Sequence, residues 1–582
     1  MSDRAQLTIL IIGGYGTFGS RLVELLADEP RLHVIVAGRS FENAQTLCIR
    51  LTAAATLVPY SLDRDGDMGK VLSELAPDIL VDATGPFQAY GDDPYRLVGQ
   101  CIAHGVNYLD FADGSAFARD IGAFDAEARA AHVFALSAAS SSPALSAAVV
   151  RELAKGMASV EDVEGGIAPS PFAGIGLNVI RAITSYAGRP VKLMRNGQFQ
   201  TGYGLTESRL VTICPPGVLR LGSRRFVLVD VPDLELLPET MPGLKSVWFG
   251  AGTAPQIYLR FLMALAWLTR LKLLPGLSPL AGLFHSVANR LTWGEPRGGM
   301  FVKVSGRHEE GRAVARSWHL IAEGDTGPSV PAMAIDAIIR KCLAGHRPET
   351  GARAATEALS LADFECGFAV KNIVTGIREQ VDGSDPLYRR ILGTAWGQLP
   401  RQIQDLHSVE TSRTFSGRAQ VALGQGVIAR IVAALYRFPR EGSEIPVDVL
   451  LERRGDGELW QRNFAGRIFR SWQREGRGRS QYLIDERFGP ISVGLALVTG
   501  EGRLEYVVRR WSFLGIPMPM FMAPGGRTFE FVEDGRFRFH VEIAHPWFGL
   551  IVRYQGWLEK TRSENLVGCR NSFTPHWRIL AR

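Results

Sequence analysis

The sequence predicts an α/β protein that opens with a Rossmann domain, a doubly wound parallel sheet with helices on both faces. A mixed α+β domain and then a mostly antiparallel β domain with helices follow. At the start, apolar runs such as Leu7 to Ile12 and Leu32 to Ala37 alternate with helical patterns, which is typical of parallel strands buried on both faces. This rhythm becomes irregular after about Pro143. Beyond Asp385, strand-like segments are separated by turn signals such as Gly455-Asp456-Gly457.

A glycine-rich segment connects the first predicted strand to the first predicted helix. Gly14, Gly16 and Gly19 satisfy the GxGxxG pattern of dinucleotide-binding loops. In this pattern the first glycine permits the tight turn, the second admits a pyrophosphate and the third lets helix and strand pack. The strand–loop–helix context favours this interpretation over a turn without a ligand. The predicted pyrophosphate loop comprises Gly14, Tyr15, Gly16, Thr17, Phe18 and Gly19.

The end of the second predicted strand bears on the choice of cofactor. An acidic residue at this place binds the ribose 2′-hydroxyl of NAD, whereas a basic residue accommodates the 2′-phosphate of NADP. Here the strand runs into Arg39 and Ser40, with no carboxylate. We therefore expect NADP as the cofactor, with NAD as the alternative. A solvated Arg39 with relaxed specificity is the competing interpretation.

The next two strand ends complete the predicted cofactor site. Asp63 follows the third strand, where a side chain reaches the adenine ring. The fourth strand ends in a small-residue turn with room for the nicotinamide half, formed by Thr84, Gly85, Pro86 and Phe87. A purely structural turn would show the same residues.

The chain resembles the saccharopine dehydrogenase and saccharopine reductase superfamily over roughly residues 5 to 370. The resemblance rests on the glycine loop, on AGRS, and on DATGPFQAYGDDPYRLVGQCIAHGVNYLDFAD; SYAGRP, RNGQ, PRGGMFVKVSG and AEGDTGPSVPAMA add to it. It implies nicotinamide redox chemistry, and some relatives reduce carbon–carbon double bonds in lipid intermediates. No residue set for a dicarboxylic amino acid matches, which argues against a lysine-pathway enzyme. After Asp385 the chain is similar to an uncharacterised domain often fused to such reductases.

Candidates for proton transfer cluster after the fifth predicted strand. Asp110 and Tyr108 are the predicted catalytic residues, with Asp113 beside them. A carboxylate at such a turn is at least as often bound to backbone as it is catalytic. Weaker candidates for acid–base chemistry or for an anionic substrate lie in the second domain: His285, His319, Arg195 and Lys303.

Composition excludes several other function classes. The cysteines are scattered without a paired spacing, which argues for a reducing, cytoplasmic setting and against a metal site. The net charge of +6 is concentrated in an arginine-rich last third, but the arginines are dispersed, so no nucleic-acid partner is expected. Charges and prolines interrupt the apolar stretch from Ile257 to Phe284, which predicts buried helices, with an interfacial segment at a membrane as the alternative.

Together these patterns predict an NAD(P)-dependent oxidoreductase of saccharopine dehydrogenase-like type. Its substrate would be small or lipid-like, with a C=N or C=C bond, and a homodimer and peripheral membrane contact stay open. A non-catalytic NADP-binding sensor, or an apolar-ligand binder built from the last domain, are the alternatives. The predicted domains are a dinucleotide-binding domain (1–143), a substrate and dimerisation domain (144–380) and a β-rich domain of unknown role (385–562).

Overall fold

The computed structural model describes residues 6–290, 292–380 and 385–561. These residues form two compact units, which we call the large unit (Met1–Pro215 with Ser223–Gln380) and the barrel unit (Pro216–Gly222 with Val381–Arg582). The predicted domain end at residue 562 and Cys569 lie outside the described residues.

The large unit contains two main sheets and a hairpin within its described part. Its strands are β1 (Leu7–Ile12), β2 (Leu32–Gly38), β3 (Thr56–Ser61), β4 (Ile79–Asp82), β5 (Asn107–Asp110), β6 (Phe134–Ser137), β7 (Ser159–Ala168), β8 (Pro190–Arg195), β9 (Gln198–Tyr203), β10 (Ser208–Val211), β11 (Arg224–Leu228), β12 (Ser246–Gly252), β13 (Arg297–Arg307), β14 (Ala313–Glu323), β15 (Gly351–Ala354) and β16 (Val374–Glu379). Its helices are α1 (Thr17–Leu26), α2 (Phe41–Arg50), α3 (Met68–Leu75), α4 (Arg96–Ala103), α5 (Ser115–Asp120), α6 (Asp125–Ala130), α7 (Ser146–Ala154), α8 (Leu177–Tyr186), α9 (Asp233–Thr240), α10 (Gln256–Arg270), α11 (Ala281–Arg290), α12 (Val330–Leu343) and α13 (Ala362–Val370).

The first sheet confirms the predicted Rossmann fold. Its strands are parallel and run in the order β15-β6-β5-β4-β1-β2-β3. The continuous apolar run of β1 is almost wholly buried because helices cover both faces of the sheet. The chain reverses its direction of progress between β1 and β4, and ligands of open α/β sheets bind outside such a switch point. The edge strand β15 comes from late in the chain and joins β6.

The second sheet is mixed, as the sequence predicts for this region. Its order is β10-β11-β12-β7-β13-β14-β16, and β8 and β9 form a separate hairpin. The helices α10 and α11 correspond to the apolar stretch from Ile257 to Phe284. No helix among the described residues is both long enough and apolar enough to cross a membrane.

The barrel unit is an antiparallel sheet that closes on itself. Ten of its described strands form the ring β22-β21-β20-β19-β18-β17-β27-β26-β25-β23, which the pairing of β22 with β23 closes, and β24 is appended to β23. The strands are β17 (Ser412–Leu423), β18 (Gly442–Arg454), β19 (Gly457–Phe464), β20 (Arg467–Glu475), β21 (Ile484–Phe488), β22 (Ile491–Gly500), β23 (Arg503–Phe513), β24 (Ile516–Pro517), β25 (Thr528–Glu533), β26 (Arg536–His545) and β27 (Gly549–Lys560). Its helices are α14 (Leu387–Leu392), α15 (Arg401–His407) and α16 (Val427–Leu435).

Candidate functional site

The glycine loop lies at the switch point and is too crowded for side chains. Gly13 has φ +78°, and a Cβ there would lie 2.8 Å from the Ala83 carbonyl oxygen. The left-handed position of the turn is therefore Gly13, not Gly14 as the pattern suggests. A Cβ on Gly14 would lie 2.9 Å from Cγ1 of Val36, and one on Gly19 would overlap the Gly13 carbonyl oxygen. The loop thus holds the start of α1 close to the sheet.

The N-terminus of α1 has the features of an anion site. Its N-cap residue is Gly16, and no side chain caps the helix. The amides of the first helical turn thus face the loop without a capping acceptor, and the helix dipole favours negative charge there. Thr17 is exposed and Phe18 half-buried at this end. The predicted loop residues therefore fit a pyrophosphate.

Arg39 and Ser40 follow β2, where the sequence places them, and they play different parts. Arg39 is exposed, and no described residue forms an ion pair with it. The Ser40 hydroxyl accepts a hydrogen bond from the Asn43 amide at 3.2 Å and so caps α2. The Ser40 amide in turn donates to the Tyr15 hydroxyl at 2.9 Å. Tyr15 thereby fixes the turn that presents Arg39.

A buried polar network that the sequence did not predict lies at the end of β4. The carboxylate of Asp82 accepts hydrogen bonds from the Thr84 hydroxyl at 2.6 Å, the Arg64 Nε at 3.1 Å and the Tyr90 hydroxyl at 3.2 Å. The Arg64 guanidinium stacks 3.6 Å from the centre of the Tyr90 ring. Its Nη2 is buried, and no described residue accepts a hydrogen bond from it. A donor without a partner at this edge fits an oxygen-rich ligand.

Three predicted cofactor-site residues lie next to this network, and they differ in how well they are placed to contact a cofactor. Asp63 is exposed, and its carboxylate accepts from the Asp65 amide at 3.1 Å, an ordinary turn contact. Gly85 has φ +32°, and its carbonyl oxygen accepts a hydrogen bond from Asn178 Nδ2 at 3.0 Å. Phe87 is buried, with its ring centre 5.1 Å from that of Phe117. The backbone of this turn is therefore available to contact a cofactor, whereas the Phe87 ring is buried in the protein.

The two predicted catalytic residues are both buried. The Asp110 Oδ1 accepts hydrogen bonds from the Ala112 amide at 2.8 Å, the Ala138 amide at 2.6 Å and the Ser137 hydroxyl at 3.0 Å. Burial raises the pKa of the Asp110 carboxyl to about 7, although these bonds act in the opposite direction. Tyr108 is only 1% exposed and packs in the core of the Rossmann sheet. This geometry favours a role in holding the loop after β6; proton transfer by either residue stays a prediction.

Asp113 has better access than Asp110 and has an unexpected neighbour. The Asp113 Oδ1 accepts a hydrogen bond from Gln88 Nε2 at 2.9 Å. Asp113 keeps contact with solvent, but the protein around it withdraws enough water to raise its pKa. Tyr186, at the end of α8, lies near Asp113 and Asp230. Burial and these two carboxylates raise the pKa of the Tyr186 phenol well above its ordinary value, so the phenol stays protonated at neutral pH.

The weaker candidates of the second domain lie apart from this edge or are already paired. His319 is buried in β14, and burial lowers its pKa to about 3. Arg195 forms an ion pair with Glu207, Lys303 is exposed on β13, and His285 is half-buried on α11. Among the described residues no group of three or more His, Cys, Asp or Glu side chains could hold a metal ion.

Two parts of the chain match known family models. Residues 9–142 match the saccharopine dehydrogenase NADP binding domain. Over these residues the chain is similar to that family. The chain therefore carries the nicotinamide dinucleotide-binding domain of a dehydrogenase-type oxidoreductase. Residues 399–558, which make up most of the barrel, match a domain of unknown function, DUF4166. No curated protein sequence matches the chain.

Three solved structures to which the chain is similar are distant from it in sequence. Saccharopine dehydrogenase (L-Glu forming) from Saccharomyces cerevisiae is 13% identical, with a TM-score of 0.45 over 64% of this chain and 100% of its own. A meso-dapdh mutant with DAP from Clostridium tetani E88 is 14% identical, with a TM-score of 0.32 over 62% of this chain and 96% of its own. A myo-inositol dehydrogenase from Corynebacterium glutamicum ATCC 13032 is 11% identical, with a TM-score of 0.28 over 64% and 98%. The assignment of the N-terminal domain rests on the family model alone.

Proposed function

We propose that the large unit is an NADP-dependent oxidoreductase that transfers a hydride to or from a C=N or C=C bond of a small or lipid-like substrate. The observation that carries the proposal is the glycine loop at the switch point of the Rossmann sheet, where α1 begins without a side-chain cap. A dinucleotide supplies the hydride chemistry when bound. The chain's own residues bind and orient it, and they manage one proton.

NADP is favoured over NAD by the charge at the end of β2. The pyrophosphate would lie against Gly14, Gly16 and Gly19, and the adenosine ribose would lie near the end of β2. Arg39 is exposed and unpaired among the described residues, so it is available for a 2′-phosphate without breaking another contact. Ser40 supports this indirectly, because its cap on α2 and its amide bond to Tyr15 hold the turn that carries Arg39.

The proton is best assigned to the half-buried Tyr186 and the exposed Asp113 rather than to the fully buried Tyr108 and Asp110. Tyr186 has no hydrogen-bonded partner for its hydroxyl among the described residues, and its raised pKa keeps the phenol protonated. Asp113 lies near it and remains in contact with solvent, so it can return a proton from water. Tyr186 lies on α8, and the start of this helix is bonded to the Gly85 turn. Asn178 Nδ2 donates hydrogen bonds to the carbonyl oxygens of Thr84 and Gly85, each at 3.0 Å. Asp110 and Tyr108 then act as supporting residues.

A lipid-like substrate is favoured by the helix pair α10 and α11. This pair packs next to α8, because Asn289 on α11 bonds to both backbone groups of Ile175 at 2.9 and 3.1 Å. The apolar stretch is not wholly buried, which removes the main objection to a lipid-facing role: Ile257 is 66% exposed and Leu271 is 61% exposed. Exposed apolar side chains next to α8 are consistent with an apolar substrate and with contact between the protein and a lipid surface that contains this substrate.

The decisive experiment is calorimetric titration of the full chain with NADPH and with NADH. We expect Arg39→Ala to weaken NADPH binding about tenfold or more, since a charge-assisted phosphate contact is lost, and to leave NADH nearly unchanged. Arg50→Ala is the matched control, because Arg50 lies at the far end of α2 in a surface ion pair with Glu24. Equal loss for both nucleotides would contradict the 2′-phosphate assignment. Binding without NADPH turnover on any acceptor would favour the sensor.

A further inference from the structure

The barrel unit encloses a cavity of about 470 Å³. Its wall is mostly apolar, with Val449, Leu495, Phe539, Ile551 and Leu558 among the lining residues. Protein interiors are normally filled to crystal-like density, and an unfilled apolar space costs stability. Small-molecule sites occupy roughly 300–1,000 Å³, so this space is of the size of one ligand. The barrel is therefore built around a space that side chains do not fill.

One part of the cavity wall is polar and internally hydrogen-bonded. The Tyr506 hydroxyl donates to Glu530 Oε1 at 2.8 Å, and the other oxygen of Glu530 lies 2.6 Å from His407 Nε2. The Tyr388 hydroxyl donates to Gln473 Oε1 at 2.9 Å, and its ring stacks on His407 at a centre distance of 3.7 Å. The polar atoms of the lining residues Tyr388, Tyr506 and Glu530 already have partners, so they shape the polar wall; the Nδ1 of His407, which has none among the described residues, belongs to a side chain behind this wall.

Glu486 is the exception in this wall. Its Oε1 accepts hydrogen bonds from the Ser471 hydroxyl at 2.7 Å and from Gln473 Nε2 at 3.0 Å, and lies 3.6 Å from the Arg462 guanidinium. Its Oε2 has no hydrogen bond from a described residue. Glu486 is only 7% exposed and lines the cavity. A carboxylate oxygen that lines a cavity and receives no donor from the protein marks the place where a ligand donor belongs.

The charges select the kind of ligand end group. Arg462 is the cation of the wall, and it is already balanced by Glu486. Glu530 adds a second carboxylate, so an anionic head group would be repelled. We propose that the barrel binds one elongated apolar molecule whose uncharged hydroxyl end donates a hydrogen bond to Glu486. A long-chain or isoprenoid alcohol has this chemistry, whereas a fatty acid does not.

The cavity reaches the end of the barrel where α16 is found, because Leu435, Phe513 and His545 are among its lining residues. α15 precedes the start of β17 and α16 follows its end, so the two helices lie at opposite ends of the barrel. Large exposed apolar side chains gather at the α16 end, among them Ile431 (61%), Leu435 (76%), Leu514 (71%) and Trp547 (62%). β23 pairs with β25 only through Leu504 and Glu505, near the opposite end, and at this end it pairs with the short β24. Apolar side chains at this end let an apolar ligand enter without crossing a polar surface.

The test is displacement of a neutral fluorescent dye, N-phenyl-1-naphthylamine, from the full chain at pH 8 without any nucleotide. We expect 1-dodecanol to displace the dye about tenfold better than dodecanoate, because only the alcohol donates to Glu486 without bringing a charge. In Glu486→Gln the preference reverses, since the amide donates where the carboxylate accepted and Arg462 is left without its counter-ion. Glu452→Gln, on the outer face of β18 beside Arg454, is the matched control and keeps the wild-type order.

A second variant keeps the result decisive if Glu486→Gln does not fold, as judged by circular dichroism. Val493 lines the cavity, and Val493→Phe fills part of it and lowers dye binding severalfold. Dye binding that Val493→Phe does not change would place the dye elsewhere and overturn the proposal. Dodecanoate displacing better than dodecanol from the wild-type chain would overturn the hydroxyl assignment. Neither result depends on the nicotinamide proposal, since no nucleotide is present.

Discussion

Asp110 shows how one buried carboxyl ties stability to pH. Its folded-state pKa of about 7 lies above the ordinary value of 3.8, because burial penalises the charged form. The folded protein therefore holds a proton that the unfolded chain has released, and this stabilisation is lost as pH rises from about 4 through 7. We compare the melting temperature of Asp110→Asn with that of wild type at two pH values. The difference, variant minus wild type, should be about 3 °C larger at pH 8 than at pH 5. Asparagine keeps the Oδ1 acceptor and cannot ionise.

The control for this prediction has the opposite sign. The hydrogen bond from Arg129 holds the pKa of Asp125 below its ordinary value, so its ionised form is the one that the fold favours. Asp125→Asn therefore loses stability relative to wild type as pH rises, where Asp110→Asn gains it. A melting difference for Asp110→Asn that is the same at both pH values would show that the carboxyl is ionised throughout. Loss of turnover at unchanged stability would instead support the predicted catalytic role.

The sequence predicted those parts of the cofactor site that depend on local pattern. The glycine loop, Arg39 and the Gly85 turn each lie at a strand end that periodicity alone locates. Arg64 and Tyr186 were missed because their positions depend on which strands become neighbours and on how α8 packs. Even in the loop, the left-handed residue is Gly13, one place before the motif, since the close approach of Ala83 decides it. Tertiary packing thus determines what the motif leaves open.

At the scale of elements, the sequence patterns predicted whether a segment is a strand or a helix better than they predicted where helices end or that the last sheet closes into a barrel. The pattern from Leu387 to Leu406 looks helical throughout, but the structure has two helices there: α14 ends at Leu392, before Gly393 with φ +58°, and α15 begins after Pro400. The turns between the C-terminal strands were visible, and an antiparallel meander was expected. Closure of that meander depends on the pairing of β22 with β23, a contact that strand periodicity does not encode.

The α10–α11 pair presents one apolar and basic face to solvent. On α10 the exposed face includes Ile257, Phe261 and Leu268, spaced as one side of a helix. No Asp or Glu occurs between Thr240 and Gly294, while Arg260, Arg270, Lys272 and Arg290 are exposed. Such a surface matches the interface of an anionic bilayer. We expect the full chain to sediment with vesicles that contain phosphatidylglycerol and not with pure phosphatidylcholine.

A paired substitution tests this surface. Phe261→Glu with Leu271→Glu should lower vesicle binding about fivefold or more, and added salt should weaken the wild-type binding. Ile49→Glu is the control, because Ile49 is 77% exposed on α2, away from this face. A chain that ignores the vesicles, and that changes from dimer to monomer in the paired variant, would mean that the face joins two copies instead.

At the scale of the whole molecule, the two units have separate cores and separate proposed ligands. The barrel core is a cluster of side chains from its own strands and from α14, α15 and α16, and the Rossmann core is another. A ligand that binds only the folded form of one unit stabilises that unit by mass action, by about 2.7 kcal/mol at a hundredfold excess over its dissociation constant.

Scanning calorimetry of the full chain should therefore resolve which unit each ligand holds. NADPH should raise the transition temperature of the large unit. At a hundredfold excess over its dissociation constant, 1-dodecanol should raise the transition temperature of the barrel unit by about 5 °C. Arg39→Ala should reduce only the first effect and Glu486→Gln only the second, because each residue contacts one ligand. If either ligand moved both transitions together, the units would unfold as one cooperative body. Coupling between the two sites is a separate measurement: if 1-dodecanol changes the dissociation constant of NADPH by some factor, NADPH must change that of the alcohol by the same factor.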